Sequence, residues 1–237
     1  MRHDIEISRL ILQRTSVFDI LLPLEDVGGD LLWHREFPQG DAHLTHADVM
    51  GHGAAAGQYA TQIAIILDEV TDADAGPSSV VSILNRALTK LAANDVIFAT
   101  GLFFRFDQSG QQLTCGNFGH HSPIFSRTGQ IYIDRGPPVG LVDEVQPWPE
   151  SRIVMVEHGK RFLVFSDGIA EQFNVEGEMF GTARLVRAFR RYLDMPLDEM
   201  LAKIVRELNG FRRSALVKDD QTLLALEFVG DTDELLA

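Results

Sequence analysis

The stretch that most restricts the fold is Ala47-Asp48-Val49-Met50-Gly51-His52-Gly53, a carboxylate set between two unlike patterns. Upstream, Ala42 to Val49 carries Leu44, Ala47 and Val49, enough for a short buried strand. Downstream, Ala54 to Val70 is rich in Ala, Ile and Leu and reads as a helix. Asp48 thus stands at the end of a rigid element, with Gly51 and Gly53 letting backbone or ligand come close. Alone, an Asp before such a turn is ordinarily a cap or turn residue. Three further acidic places in similar settings change that reading: Asp30 in Val-Gly-Gly-Asp, Asp167 in Phe-Ser-Asp-Gly, and Asp219-Asp220 in Lys-Asp-Asp-Gln-Thr.

The rest of the chain reads as strands and paired helices. Val17 to Leu22 is a first strand, Asp30 to Phe37 a second and Ala42 to Val49 a third, with Pro38-Gln39-Gly40-Asp41 turning between the last two. In such a hairpin Asp30 opens one strand and Asp48 closes the next, so both carboxylates come to one end of the sheet. Ala56, Tyr59, Ala60, Ile63, Ala64, Ile66 and Leu67 make the following helix apolar over most of its circumference, hence buried. Pro77 to Leu91 is a second helix. From Ile97 the period falls to two: strands are predicted at Ala99 to Asp107, Gln111 to Asn117, Pro123 to Arg127, Gln130 to Asp134, Ser151 to Val156 and Arg161 to Ser166. Two amphipathic helices follow, one capped by Thr182 and one starting near Pro196. Thr222 to Val229 closes the sheet, and residues 230–237 form a frayed acidic tail. Ile5, Ile7, Leu10, Ile11 and Leu12 suggest a short amphipathic, helical segment within residues 1–15. Helices clustered around many antiparallel strands argue two stacked sheets covered on both outer faces, with residues 1–237 as a single domain.

Five segments then stand in order: Gly28-Gly29-Asp30, Asp48-Val49-Met50-Gly51-His52-Gly53, Asn117-Phe118-Gly119-His120, Ser166-Asp167-Gly168 and Asp219-Asp220-Gln221-Thr222. Together they resemble the metal-dependent type 2C (PPM) serine/threonine protein phosphatases, in particular the bacterial SpoIIE-like branch. The resemblance runs over roughly residues 20 to 229. It implies an α+β four-layer αββα sandwich of two antiparallel sheets. It also implies two Mn²⁺ or Mg²⁺ ions, with Asp48 bridging both and the Val49 carbonyl helping to hold one. Asp167 and Asp219 would complete the other shell, and Asp30 would ligate or orient metal-bound water. Asp220 could exchange roles with Asp219. Asp48 and Asp30 are the catalytic candidates, and oxygen-only ligands favour hard cations over zinc.

The partner implied is a phosphorylated protein, in this branch a STAS-domain anti-anti-sigma factor. Phosphatase domains of this branch often follow a sensor domain through a helix. The expectation here is therefore a stand-alone enzyme or the detached output half of a longer regulator. Two other readings stay open: a phosphatase-fold binding module without catalysis, and a metal-dependent phosphohydrolase acting on a small molecule. Gly28-Gly29-Asp30 also opens the loop of diguanylate cyclases, but Leu31-Leu32 follow where an acid and an aromatic belong.

His52 reads as a turn residue rather than a general acid, and His120 and His121 as loop supports. A zinc set of His43, His46, Asp48 and His52 lacks the second cluster a closed site needs. No arginine matches the phosphate-binding one of eukaryotic members. The loop from Gly136 to Pro149, bearing Trp148, is either a docking surface or a rigid crossover with Trp148 packed down. With 34 acidic against 21 basic residues, a net charge of −13 argues against nucleic acid or anionic membrane as partner. No apolar run reaches the length of a membrane span, and no signal peptide is legible. Cys115, the only cysteine, excludes an intrachain disulfide, suits a reducing cytoplasm and reads as a core thiol.

Overall fold

The structure is a computed structural model that describes residues 6–12, 15–38, 40–92, 96–109, 112–126, 129–130, 133–142, 147–154 and 160–228. In chain order the elements are β1 (Ser8–Leu12), β2 (Thr15–Leu22), β3 (Asp30–Glu36), β4 (Ala42–Val49), α1 (Gly53–Val70), α2 (Pro77–Ala92), β5 (Ala99–Phe106) and β6 (Gln112–Phe118). The short β7 (Ile124–Phe125), β8 (Gly129–Gln130) and β9 (Arg135–Gly136) follow. Then come β10 (Glu150–Val154), β11 (Arg161–Phe165), α3 (Asp167–Ala170), α4 (Gly181–Arg191), α5 (Leu197–Arg212) and β12 (Gln221–Phe228).

One sheet runs β1-β2-β12-β11-β7-β8 and the other β10-β6-β5-β4-β3, with β9 set parallel beside β6. Alternation along each strand sorts side chains between two apolar layers. On β4, Ala42 and Leu44 enter the layer between the sheets, whereas Ala47 and Val49 face α1 and α2. On β12, Leu224 and Leu226 enter the same middle layer, whereas Leu223 and Ala225 face α4 and α5. The result is helix, sheet, sheet, helix: the αββα sandwich and α+β class that the resemblance implies.

Several local expectations are corrected. The N-terminal segment is a strand, not a helix: β1 pairs antiparallel with β2, and Leu10 and Leu12 pack into the middle layer. Pairing satisfies the outer backbone groups of β2, which outweighs a weak local helical pattern. α1 is buried along Ala56, Gly57, Ala60, Ile63 and Leu67, but Ile65 is exposed, so only one side is covered. Thr182 lies inside the first turn of α4, where Phe180 holds the cap position. The strand foreseen over 123–127 shrinks to two residues, while α3 and β9 have no counterpart in the sequence pattern. Much of the strand predicted over 130–134, the end of that over 151–156, and the tail at 230–237 lie outside the described residues. Cys115 is fully buried in the middle layer, and burial pushes its thiol well up from the ordinary range. Among the described residues no helix is long and apolar enough to cross a membrane.

Phe104 sits in the middle layer with no exposed surface, its ring tilted against that of Phe162 of the opposite sheet at a centroid distance of 5.8 Å. Phe104→Ala is expected to lower the unfolding free energy by about 3–5 kcal/mol. Ile65→Ala should change it by roughly 0.5 kcal/mol or less. Urea denaturation read by circular dichroism distinguishes the two.

Candidate metal centre

The sheet register assembles the acidic end. Asp30 on β3 is the direct antiparallel partner of Asp48 on β4, which in turn pairs with Thr100 on β5. Both carboxylates share the parity of Leu32 and Leu44 and so point into the gap between the sheets. The opposite sheet meets them there: Thr222 donates its hydroxyl to Oδ2 of Asp30 at 2.6 Å. Asp167 opens the short helix α3, directly after β11. Asp219 lies just before β12, half-buried, its carboxylate accepting the amide of Asp220 at 2.9 Å.

Asp220 does something different from Asp219. It is buried, and both its oxygens are taken by backbone: Leu24 N–H donates to Oδ1 at 2.7 Å and Gly29 N–H to Oδ2 at 2.6 Å. A Cβ on Gly28 would come within 2.5 Å of this carboxylate, and one on Gly168 within 2.0 Å of the Asp220 carbonyl oxygen. The glycines of two separate motifs are thus shaped around one aspartate. The chain reversal at Gly51 and Gly53 uses positive φ, 88° and 73°. The Val49 N–H donates to the Gly29 carbonyl at 3.3 Å, tying the end of β4 to the loop that carries Asp30.

Electrostatically the site is under tension. Burial, then Asp30, Asp167, Asp219 and Asp220, raises the carboxyl of Asp48. Asp30 is raised by burial and by Asp220 and Asp167, against the hydrogen bonds from Thr222 and Ser166. Asp219 is raised by burial and by Asp167. Among the described residues no hydrogen-bond donor reaches the Asp48 carboxylate, and no three His, Cys, Asp or Glu side chains gather tightly enough to grip a metal unaided. A donorless carboxylate facing four others fits a hard cation that keeps part of its water shell and takes only one or two carboxylates. The residues present suit Mg²⁺ or Mn²⁺ in that way.

The histidines separate by face. His43 points toward the helices between Phe37 and Phe103, while His46 enters the middle layer, so a zinc set joining them cannot converge. Burial lowers both to about 4. His52 holds the cap position of α1, exposed, with Nδ1 2.8 Å from Glu25 Oε1. The expected loop support comes from the backbone of His120, whose N–H donates to Asn117 Oδ1 at 2.8 Å, while its imidazole reaches two other strands. Its Nε2–H donates to the Phe165 carbonyl at 3.0 Å, which leaves Nδ1 to accept the Thr100 hydroxyl at 3.0 Å. It thereby bolts one sheet to the other. Trp148 is buried against Gly136, which favours the crossover reading of that loop; residues 143–146 lie outside the described ones.

Sequence reasoning assigned no part to Thr222, Gln172 or Lys218. Thr222 was legible in principle, two residues after Asp220 and in phase with Leu224. Gln172 and Lys218 reach the site only through tertiary packing: with Asp167, Glu171, Phe173 and Asp219 they line a cavity of about 110 Å³.

The Stage II sporulation protein E (SpoIIE) family model matches residues 38–229. The chain belongs to that family, within the PPM/PP2C-type phosphatases, and its enzyme class is protein serine/threonine phosphatase. No curated protein matches the chain. Among solved structures it is similar to the SiaA-PP2C domain of Pseudomonas aeruginosa, at 20% identity and TM-score 0.79, covering 90% of this chain and 85% of that one. It is also similar to the RsbU and RsbW domains of Rv1364c from Mycobacterium tuberculosis, at 19% identity and TM-score 0.78, covering 94% and 62%. RsbX in complex with magnesium matches at 18% identity and TM-score 0.64, covering 94% and 99%. These likenesses show the fold.

Asp220→Ala should cost about 1–3 kcal/mol for each amide left unsatisfied, a loss that urea unfolding of the chelator-treated protein will show. Because the folded-state carboxyls of Asp30 and Asp48 are raised, the folded chain binds protons more tightly than the unfolded one. The contribution of these two carboxyls to metal-free stability is therefore full below about pH 4 and falls as pH rises toward about 7 for Asp30 and about 9 for Asp48. The buried, neutral His43 and His46 act in the opposite sense between about pH 6.5 and 4. Asp48→Asn should flatten that fall in urea titrations run with chelator.

Proposed function

We propose that the acidic end between the sheets hydrolyses phosphoserine and phosphothreonine on a protein substrate, using water activated by two Mn²⁺ or Mg²⁺ ions. The observation that carries this is the Asp30–Asp48 register pair, closed from the opposite sheet by Thr222. Asp48, central to the repelling cluster, would be a metal ligand, with the Val49 carbonyl beside it. Asp167 and Asp219, which line one cavity, would hold metal as well. Asp219 rather than Asp220 takes this role, because both Asp220 oxygens already accept backbone amides. Asp30, held by the Thr222 hydroxyl, ligates or orients the attacking water. Bound there, the cations would supply a water acidic enough to attack phosphorus and a positive field for the phosphoryl oxygens. The only cysteine, Cys115, is buried in the core with its thiol pushed well up, so it does not stand in this role.

Family and neighbours support the substrate class. Similarity to SiaA and RsbU domains supports a place in bacterial regulatory signalling, with a phosphorylated STAS-domain anti-anti-sigma factor as the substrate. A lone, buried cysteine suits the cytoplasm.

Chelation should abolish phosphatase activity, and Mn²⁺ or Mg²⁺ should restore it. Asp48→Asn should lower kcat by about a hundredfold or more while the circular dichroism spectrum is kept. Activity surviving exhaustive chelation would sink the mechanism. For the partner, kcat/KM on a phosphorylated STAS protein should exceed that on a short phosphopeptide from the same site. Equal values would return the enzyme to the general phosphatases.

A further inference from the structure

Beside the metal centre the surface changes character. The segment 172–180 folds back on itself: Phe180 N–H donates to the Gln172 carbonyl at 2.8 Å, and Asn174 N–H to the Glu178 carbonyl at 2.9 Å. Phe173 and Met179 stand opposite each other across this ribbon, 38% and 43% exposed. Leu216, in the loop between α5 and β12, is 78% exposed, more than any other large apolar side chain described. Polypeptide backbones of both segments are held by one buried amide. Gln172 Nε2 donates to the Phe173 carbonyl at 2.8 Å and to the Leu216 carbonyl at 3.1 Å, while Gln172 Oε1 accepts from Gln221 at 3.0 Å.

The exposure is therefore not that of a loose loop. The turn is fastened again by Asn174 Oδ1, which accepts the amides of Glu176 and Glu178, and by the Arg213–Glu176 pair. Arg184 pairs with Glu178 and lies over the ring of Phe211 at 4.7 Å. The ribbon's two glutamates are each paired with an arginine at the surface, and Phe173 and Met179 stand exposed beside these pairs. Rigid, exposed and apolar surface of this kind marks contact sites.

Its position says what it contacts. Phe173 lines the same cavity as Asp167 and Asp219, and Lys218, two residues after Leu216, lines it too. In a chain of net charge −13, a cation at the rim of an acidic cleft complements an incoming phosphate. A polypeptide that brings a phosphoester to this cavity meets Phe173 as one of the lining side chains. We propose, resting on the phosphatase reading of the centre, that Phe173, Met179 and Leu216 form the docking face for the polypeptide flanking the phosphoresidue, and that this face selects substrates with apolar side chains beside it. A phosphate and its metal ions discriminate little, so selection falls to such a neighbour.

The test uses two phosphoserine peptides, identical except that one has Leu and Phe flanking the phosphoserine and the other has Ser in their place, with p-nitrophenyl phosphate as the control. With Mn²⁺ present, the apolar peptide should be favoured about tenfold in kcat/KM, mainly through KM. Leu216→Ser and Met179→Ser should each erode the preference and together remove it, with p-nitrophenyl phosphate turnover unchanged. Equal efficiency on the two peptides, or a preference that survives both substitutions, would overturn the docking face. A concentration-dependent dimer abolished by the same substitutions, without peptide preference, would assign the face to a second copy of the chain and overturn it too. Failure to hydrolyse any of the three compounds with Mn²⁺ or Mg²⁺ would instead overturn the phosphatase reading, and the docking proposal with it.

Discussion

The Asp220 carboxylate receives the amides of Leu24 and Gly29 and so ties the loop between β2 and β3 to the start of β12. These segments are almost two hundred residues apart in sequence, and the pairing of β2 with β12 sets them side by side. A buried carboxylate that accepts two backbone amides replaces most of its lost hydration, so the junction is stiff. Gly28 and Gly168 close against the same residue. A bracket of this kind can hold Asp30, Asp167 and Asp219 near one another although each comes from a different part of the chain and all three repel.

That repulsion is the second term in the balance. Burial and proximity raise the carboxyls of Asp30, Asp48 and Asp219, a cost that apolar packing elsewhere must offset. Three stacked hydrophobic layers supply the offset: one between the sheets and one beneath each helix pair. The His120 bridge from Thr100 to the Phe165 carbonyl crosses the middle layer close to the acids and keeps the two sheet ends in register. The acidic end is the strained end of a well-filled sandwich.

Gln172 plays the corresponding part at the cleft rim. Its amide joins the ribbon at 172–180, the loop at Leu216 and the start of β12, so the apolar face and the carboxylates are built on one rigid frame. Chemistry and selection then use different atoms of the same platform. Substitutions at exposed Leu216 can alter which protein is bound without touching the acids.

The amino-acid sequence by itself determined the elements whose local period is strong and whose ends carry turn residues. β4 was legible to the residue because Leu44, Ala47 and Val49 end at an Asp and a glycine turn, and α2 and α5 because their apolar stripes are clean. It also determined the candidate acids, since four of the five spaced motifs place them at element ends. Tertiary structure alone decided the rest. β1 became a strand because the open edge of β2 needed a partner, an influence that no local pattern encodes. Adjacent Asp219 and Asp220 are chemically identical in sequence. They part company only because the amides of Leu24 and Gly29, brought from the far end of the chain, claim both oxygens of one and leave the other beside the cleft.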